Sequence, residues 1–284
     1  MTPPLVSIII PTYNASATLS KTLESIVQQT YPQIEVWIVD GQSTDHTLEV
    51  IQQYTEQHSY MQCVSEADKG IFDAMNKGVA LATGEWLYFL GADDVLLPNG
   101  ITDVFGQCDY QNLDFVYGSI ISQSSNKVYD GFFSLAKIMR QGICHQATFT
   151  RKSLYDTIGL FDLRYKAAAD WDFSLKCFAN PQVRIQYVEA TVAVYGASGF
   201  SSYYYDTTFR NQKEQLLLNY FPNKDKAFYC AFGDLVFNLY KTRNYRHALY
   251  ASLFVAKSTG QWGYYLKNAA YWLKTSIFTK YDTV

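Results

Sequence analysis

Over the first ninety residues, strand-length apolar runs alternate with helix-length amphipathic stretches, and two of those runs end in carboxylates. Val6-Ser7-Ile8-Ile9-Ile10 is nearly continuous in its apolar character, which fits a strand covered on both faces rather than one facing water. Residues 16–29 place Leu19, Leu23, Ile26 and Val27 on one helical face, and residues 34–39 return as a strand. The alternation continues through 44–54, 61–64, 71–82 and 86–90. This order predicts an α/β fold with a Rossmann-like, mostly parallel central sheet and flanking helices. In such sheets ligands bind outside the carboxyl ends of the strands. Asp40 follows one strand and Asp93-Asp94 another, where a carboxylate packs badly but is well placed to hold a ligand or a divalent cation.

Beyond Asp94 the pattern loosens. Candidate strands fall at 113–120, 127–132, 146–150 and 183–188, with one helix at 170–179. From 221 the chain reads as helices: Tyr245, Ala248 or Leu249, Ser252 or Leu253 and Ala256 recur at helical spacing, as do Trp262, Leu266, Ala269, Leu273 and Ile277. The expected organisation is a domain over 1–220 and a helical extension over 221–284. With 284 residues, 48% of them apolar, the chain can bury the core of one large domain with an appendage.

Net charge is −3 but uneven: residues 221–284 hold nine Lys/Arg against three Asp, or +6, and the remainder holds fourteen basic against twenty-three acidic residues, or −9. A basic, aromatic tail on an acidic body predicts contact with an anionic membrane surface in preference to nucleic acid. No run approaches the ~18 apolar residues of a membrane span. The apolar run at 5–10 is too short for a signal peptide and lacks a basic leader, so the expected location is cytoplasmic, peripheral on the membrane at most. Five cysteines without a C-x-x-C pair suggest neither a disulfide framework nor a zinc knuckle. They read as small packed residues of a reducing compartment.

Several segments carry candidate chemistry. Asp40 opens a strand-to-helix loop running to Asp45; it either caps that loop or accepts hydrogen bonds from a nucleobase. Pro11-Thr12-Tyr13-Asn14 follows the first strand and would border the same crevice. Adjacent Asp93 and Asp94 repel unless a cation or hydrogen-bond donors neutralise them. Asp170 and Asp172 stand at a helix start, where the dipole favours their ionised forms; capping and general-base roles are both open for Asp170, and Trp171 would line a sugar site. His145-Gln146 precedes a strand, and a site role for that pair depends on its surroundings.

Pro11 to Asn14, residues 35–45, the run 65–78 (Ser-Glu-Ala-Asp-Lys-Gly-Ile-Phe-Asp-Ala-Met-Asn-Lys-Gly), residues 82–86 and Gly91-Ala92-Asp93-Asp94 together resemble the inverting family 2 glycosyltransferases of GT-A fold. The similarity extends over about residues 5–200, and within the family it is to the WfgS-like branch associated with bacterial surface polysaccharides such as O-antigen. The resemblance implies a donor half over 1–100 and an acceptor half over 101–220. It implies that Asp40 reads the base of a UDP-sugar, that Pro11, Thr12, Tyr13 and Asn14 flank the nucleoside, and that Asp68 and Lys69 lie by the donor. Asp93 and Asp94 stand where the family's D-x-D motif reads; with Ala92 taken as its first position, Mn²⁺ or Mg²⁺ is expected chiefly on Asp94 with help from Asp93. Asp170 matches the catalytic base with Asp172 as the fallback, and His145, Gln146 and Trp171 border the active site. The implied partners are a nucleoside-diphosphate sugar and a glycan acceptor, lipid-diphosphate-linked, in a hexosyl-transfer reaction.

Other classes fit less well. A nucleotidyltransferase requires a Gly-rich phosphate loop after the first strand, and a nicotinamide oxidoreductase requires G-x-G-x-x-G there; Pro11-Thr12-Tyr13-Asn14 occupies the place. A non-catalytic sugar-nucleotide-binding or membrane-scaffold protein is separated from an enzyme only by turnover.

Overall fold

The computed structural model describes residues 2–129, 131–196, 199, 204–221, 228, 231–233, 235, 252–253, 256 and 262. It divides into two compact units, one of residues 1–133 and 142–212, the other of 134–141 and 213–284.

The first unit is built on β1 (Val6–Thr12), β2 (Ile34–Asp40), β3 (Met61–Ser65), β4 (Trp86–Phe89), β5 (Val95–Leu96), β6 (Phe115–Ser122), β7 (Lys127–Tyr129), β8 (Thr148–Arg151) and β9 (Ile185–Tyr195). They form one sheet in the order β3-β2-β1-β4-β8-β6-β9-β5, with β7 on β6. Every residue of β1 is buried, as its continuous apolar run requires, and Val6 pairs in parallel with Ile34 of β2 on one side and Trp86 of β4 on the other. The chain winds outward from β1 to β2 and β3 through α1 (Leu19–Val27) and α2 (Thr47–Gln57), then returns through α3 (Ile71–Leu81) to β4. The direction of winding thus reverses between β1 and β4, the place where such sheets open a crevice.

Parallel pairing of the kind expected covers β3-β2-β1-β4. Further along the sheet is mixed, because β8 runs antiparallel to β4 and β6, and β5 antiparallel to β9. Within the same half β6 and β9 pair in parallel. The helices over residues 97–157, α4 (Gly100–Gly106), α5 (Leu135–Arg140) and α6 (Leu154–Thr157), are short.

Boundaries shift where local geometry decides them. The strand expected at 146–150 is a 3₁₀ turn, His145–Ala147, followed by β8; β9 extends to Tyr195 instead of ending at 188. A helix α7 (Ala169–Ala179) matches the one expected at 170–179, whereas α8 (Thr207–Tyr220) was not anticipated. Of the cysteines, Cys177 is buried as expected but Cys63 is exposed.

One buried carboxylate stitches the parallel half together. Glu35 on β2, 9% exposed, accepts hydrogen bonds from Ser7 Oγ on β1 (2.5 Å) and from Thr83 N (2.5 Å), Thr83 Oγ1 (2.8 Å) and Gly84 N (3.0 Å) before β4. Burial pushes its carboxyl up, but these four donors together hold it below the usual range.

In the second unit, Ser134 caps α5 by accepting from Lys137 N, and Phe228 packs against Phe221 and Phe232. Leu253 and Trp262 are 43% and 45% exposed, while Ser252 and Ala256 are buried. Tyr245, Ala248, Leu249, Leu266, Ala269, Leu273, Ile277, Lys257, Lys267, Lys274 and Lys280 lie outside the described residues. Among the described residues no helix is long and apolar enough to cross a membrane.

Candidate active site

A cavity of about 640 Å³ opens at the reversal between β1 and β4. Its wall is assembled from the loop after β1 (Pro11, Thr12, Tyr13, Asn14), the approach to α3 (Asp68, Lys69, Gly70), the loop after β4 (Gly91, Ala92, Asp93), and Lys166 and Gly199 from far along the chain. Six sequence-predicted donor residues therefore share this wall with Asp93. Tyr13 presents a 63% exposed ring, while Thr12 is held inward by its Oγ1 donating to Ile10 O (3.1 Å). Asn14 adopts a left-handed φ of 47° and ties its loop to the next, its Oδ1 accepting from Thr44 N (2.8 Å). Gly70 has φ 120°, a conformation open to glycine alone at low cost, and leads α3 into the cavity without a side-chain cap. The helix start therefore offers backbone N–H groups and a positive dipole end to the space.

The two adjacent acids have opposite surroundings. Asp93 faces the cavity. Asp94 is fully buried, with Oδ2 accepting from Gly91 N (2.9 Å) and Gln146 Nε2 (2.7 Å) and Oδ1 from Gly196 N (2.7 Å). Burial pushes its carboxyl up; the Gly196 N–H, the Gln146 amide and His145 offset part of that rise. The reading of Asp94 as the chief metal ligand meets a carboxylate whose oxygens are both engaged inside the protein, whereas Asp93 borders the cavity. Space there depends on a missing side chain: a Cβ on Gly196 would stand 2.7 Å from Asp93 Oδ2. Among the described residues no group of three His, Cys, Asp or Glu could hold a metal. An ion on Asp93 thus fits only if the ligand supplies further oxygens, as phosphates do for Mg²⁺.

Gln146 and His145 connect these acids to Asp170. His145 Nδ1 stands 3.3 Å from Asp170 Oδ2, and its Nε2 is buried without a hydrogen-bond partner. A single turn, His145–Ala147, therefore grips Asp94 with one side chain and meets Asp170 with the next. Asp170 Oδ1 accepts from Trp171 N (2.8 Å), and its side chain keeps 22% exposure. Asp172 does not share that access: it is 1% exposed and bridged to Lys176 Nζ at 2.7 Å, which removes it as a fallback base. Trp171, expected to line a sugar site, is instead 8% exposed and packs on Phe209 with ring centroids 5.0 Å apart.

Asp40, expected to read a base, is fully buried. It accepts from Ser43 Oγ (2.5 Å), Ser43 N (3.0 Å) and Ser65 Oγ (2.6 Å), and does not border the cavity. It shapes the loop beneath the wall. Lys166 and Gly196 were missed in the sequence: nothing in hydropathy or spacing separates Lys166 from other surface lysines, and Gly196 is recognisable only by the carboxylates around it.

Fold and site together define a glycosyltransferase of GT-A architecture. The model of Glycosyl transferase family 2 matches residues 7–164, and the chain belongs to that family. It is 41% identical over 206 residues to a PGL/p-HBAD biosynthesis glycosyltransferase of Mycobacterium bovis, an alignment covering 70% of this chain and 79% of the relative. Among solved structures, Staphylococcus aureus TarS 1-349 in complex with UDP-GlcNAc superposes with a TM-score of 0.63 at 19% identity, over 90% of this chain and 92% of that one. The mannosyltransferase PcManGT from Pyrobaculum calidifontis, in complex with GDP-Man and Mn²⁺, gives 0.63 at 19% identity, over 99% and 88%.

Proposed function

We propose that this chain is a metal-dependent inverting glycosyltransferase that moves a hexosyl group from a UDP-sugar to a lipid-diphosphate-linked glycan acceptor in bacterial surface polysaccharide synthesis, within the WfgS-like branch. The observation that carries the reading is the cavity at the β1/β4 reversal, bordered by the loop 11–14, Asp68, Lys69, the start of α3 and Asp93. The UDP-GlcNAc and GDP-Man complexes of the structural neighbours support a nucleotide-sugar donor, and Mn²⁺ in the second supports an ion on Asp93. The PGL/p-HBAD biosynthesis glycosyltransferase relatives support sugar transfer to a biosynthetic acceptor.

In this account residues 1–100 hold the donor and 101–220 the acceptor. Tyr13 offers its exposed ring to the base, flanked by Pro11, Thr12 and Asn14. Asp93 would hold a divalent ion jointly with the diphosphate, and Asp94 fixes the Gly91–Asp94 turn. A bound divalent ion supplies Lewis-acid neutralisation of the leaving diphosphate. Asp170 accepts the proton of the acceptor hydroxyl as its oxygen bonds to the anomeric carbon. The carbon–oxygen bond to the diphosphate breaks with its electron pair staying on the diphosphate, so the anomeric configuration inverts. His145 orients Asp170 through its Nδ1. The exposed Leu253 and Trp262, with the basic tail sequence, support peripheral contact of residues 221–284 with an anionic membrane on its cytoplasmic side.

A thermal-shift screen with UDP-, GDP- and dTDP-sugars, each with Mn²⁺ and with EDTA, tests the donor. A ligand that binds only the folded form raises the melting temperature. The reading predicts the largest rise with a UDP-sugar plus Mn²⁺; no rise with any donor would overturn it.

A further inference from the structure

Lys166 enters the cavity wall four positions before Asp170, on a segment that the packing holds from both sides. Tyr165 is 1% exposed, its ring lies 5.2 Å from that of Phe209, and its hydroxyl donates to Gln212 Oε1 at 3.2 Å. Ala167 N donates to Asp206 Oδ2 at 3.0 Å, and Asp206 is itself buried. The flanking backbone is thus fixed, while the Lys166 side chain is exposed and its ammonium reaches Lys69 O at 3.4 Å. Lys69 immediately precedes Gly70 and the uncapped start of α3. Lys166, Lys69 and a helix N-terminus therefore share the wall of the cavity that also holds Asp93.

We propose that Lys166 binds the diphosphate of the donor, together with Lys69 and the start of α3. This rests on the donor-site reading above and adds a residue to it. Charge supports the assignment: the acidic and basic side chains on the wall are Asp68, Asp93, Lys69 and Lys166, two of each sign. A divalent ion then balances the roughly two negative charges of an intact sugar diphosphate, and departure of the sugar adds one more. An ammonium beside the diphosphate stabilises that added charge, and as a point charge it does so without the planar geometry of arginine. One short segment thereby supplies a cation for the leaving group and, at Asp170, the base for the acceptor.

Calorimetry tests this with UDP, GDP and dTDP and their matching nucleosides, in Mn²⁺ and in EDTA. The proteins compared are the wild type, Lys166→Met, Lys166→Arg and the exposed control Lys21→Met. Lys166→Met should weaken the bound diphosphate about ten- to a hundredfold, the scale of a lost charge-assisted hydrogen bond, in both Mn²⁺ and EDTA. Its affinity for the nucleoside should stay within about twofold of wild type. Lys166→Arg should recover most of the diphosphate affinity, and Lys21→Met should match the wild type. Diphosphate affinity in Lys166→Met within about twofold of wild type, or an equal loss for the nucleoside, would overturn the role of Lys166 and leave the donor site standing. A wild type that binds none of the diphosphates would overturn both.

Discussion

Replacing Asp94 by asparagine should weaken the fold, whereas the same change at Asp93 should abolish the response to metal. Asparagine at 94 keeps a carbonyl oxygen for the Gly91 N–H and the Gln146 amide, but turns its own NH₂ toward Gly196 N–H, a donor against a donor. One charge-assisted bond is lost and a buried N–H is left unsatisfied, a cost of about 1–3 kcal/mol. Burial already disfavours the ionised Asp94, so removing that charge recovers part of the loss and the lower half of the range applies. At ~2–4 °C per kcal/mol for a domain of this size, the melting temperature should fall by about 2–8 °C. Asp93→Asn, on the cavity wall, should shift it less. Calorimetric titration of UDP with Mn²⁺ then separates the roles. Asp94→Asn should bind Mn²⁺ about tenfold more weakly, the low end for a residue behind a ligand, yet recover UDP affinity at saturating metal. Asp93→Asn should show no Mn²⁺ enhancement at any concentration. An unchanged melting temperature for Asp94→Asn together with metal-insensitive UDP binding, while Asp93→Asn keeps the enhancement, would refute this reasoning and return the ion to Asp94.

Asp170→Asn should keep UDP affinity and lower turnover ~10²-fold or more, read as UDP released from the UDP-sugar that the wild type turns over with glycan acceptors; near-normal turnover would remove the base from Asp170. Glu35→Gln should lower stability by about 1–3 kcal/mol at neutral pH, measured by denaturant unfolding. Because the folded Glu35 carboxyl is held below its ordinary value, that contribution is full above the unfolded pKa and disappears as pH falls through the folded one. The gap between wild type and variant should therefore close in acid, and a gap that persists would refute the ion's role. The full chain should sediment with anionic vesicles in low salt and release in high salt, and a chain ending at Phe221 should not; equal sedimentation would leave the tail as packing.

The parallel half of the fold and the position of its crevice were legible because β1, β2 and β4 are continuous apolar runs punctuated by polar loops. The mixed half was less so: β5 has two residues, β7 three, and neither length carries a periodicity. Within the site, residue type was readable but direction was not. Asp93 and Asp94 are neighbours in a turn, and only the buried donors from Gly91, Gln146 and Gly196 show which one points inward. Asp170 and Asp172 lie two residues apart on a helix, hence on different faces, and the ion pair to Lys176 decides between them. Asp40 reads as a ligand contact because it ends a strand. Ser43, in the loop after it, and Ser65, at the end of β3, enclose it, so their convergence appears only in three dimensions.

The most direct measurement is a crystal structure of the wild-type protein soaked with UDP and Mn²⁺. The account predicts the uridine against Tyr13 and the loop 11–14, the Mn²⁺ bound by Asp93 and diphosphate oxygens, and the diphosphate within hydrogen-bond reach of Lys69, Lys166 and the start of α3. Nucleotide bound outside this cavity, or Mn²⁺ coordinated by Asp94 with the Gly91, Gln146 and Gly196 bonds broken, would contradict it.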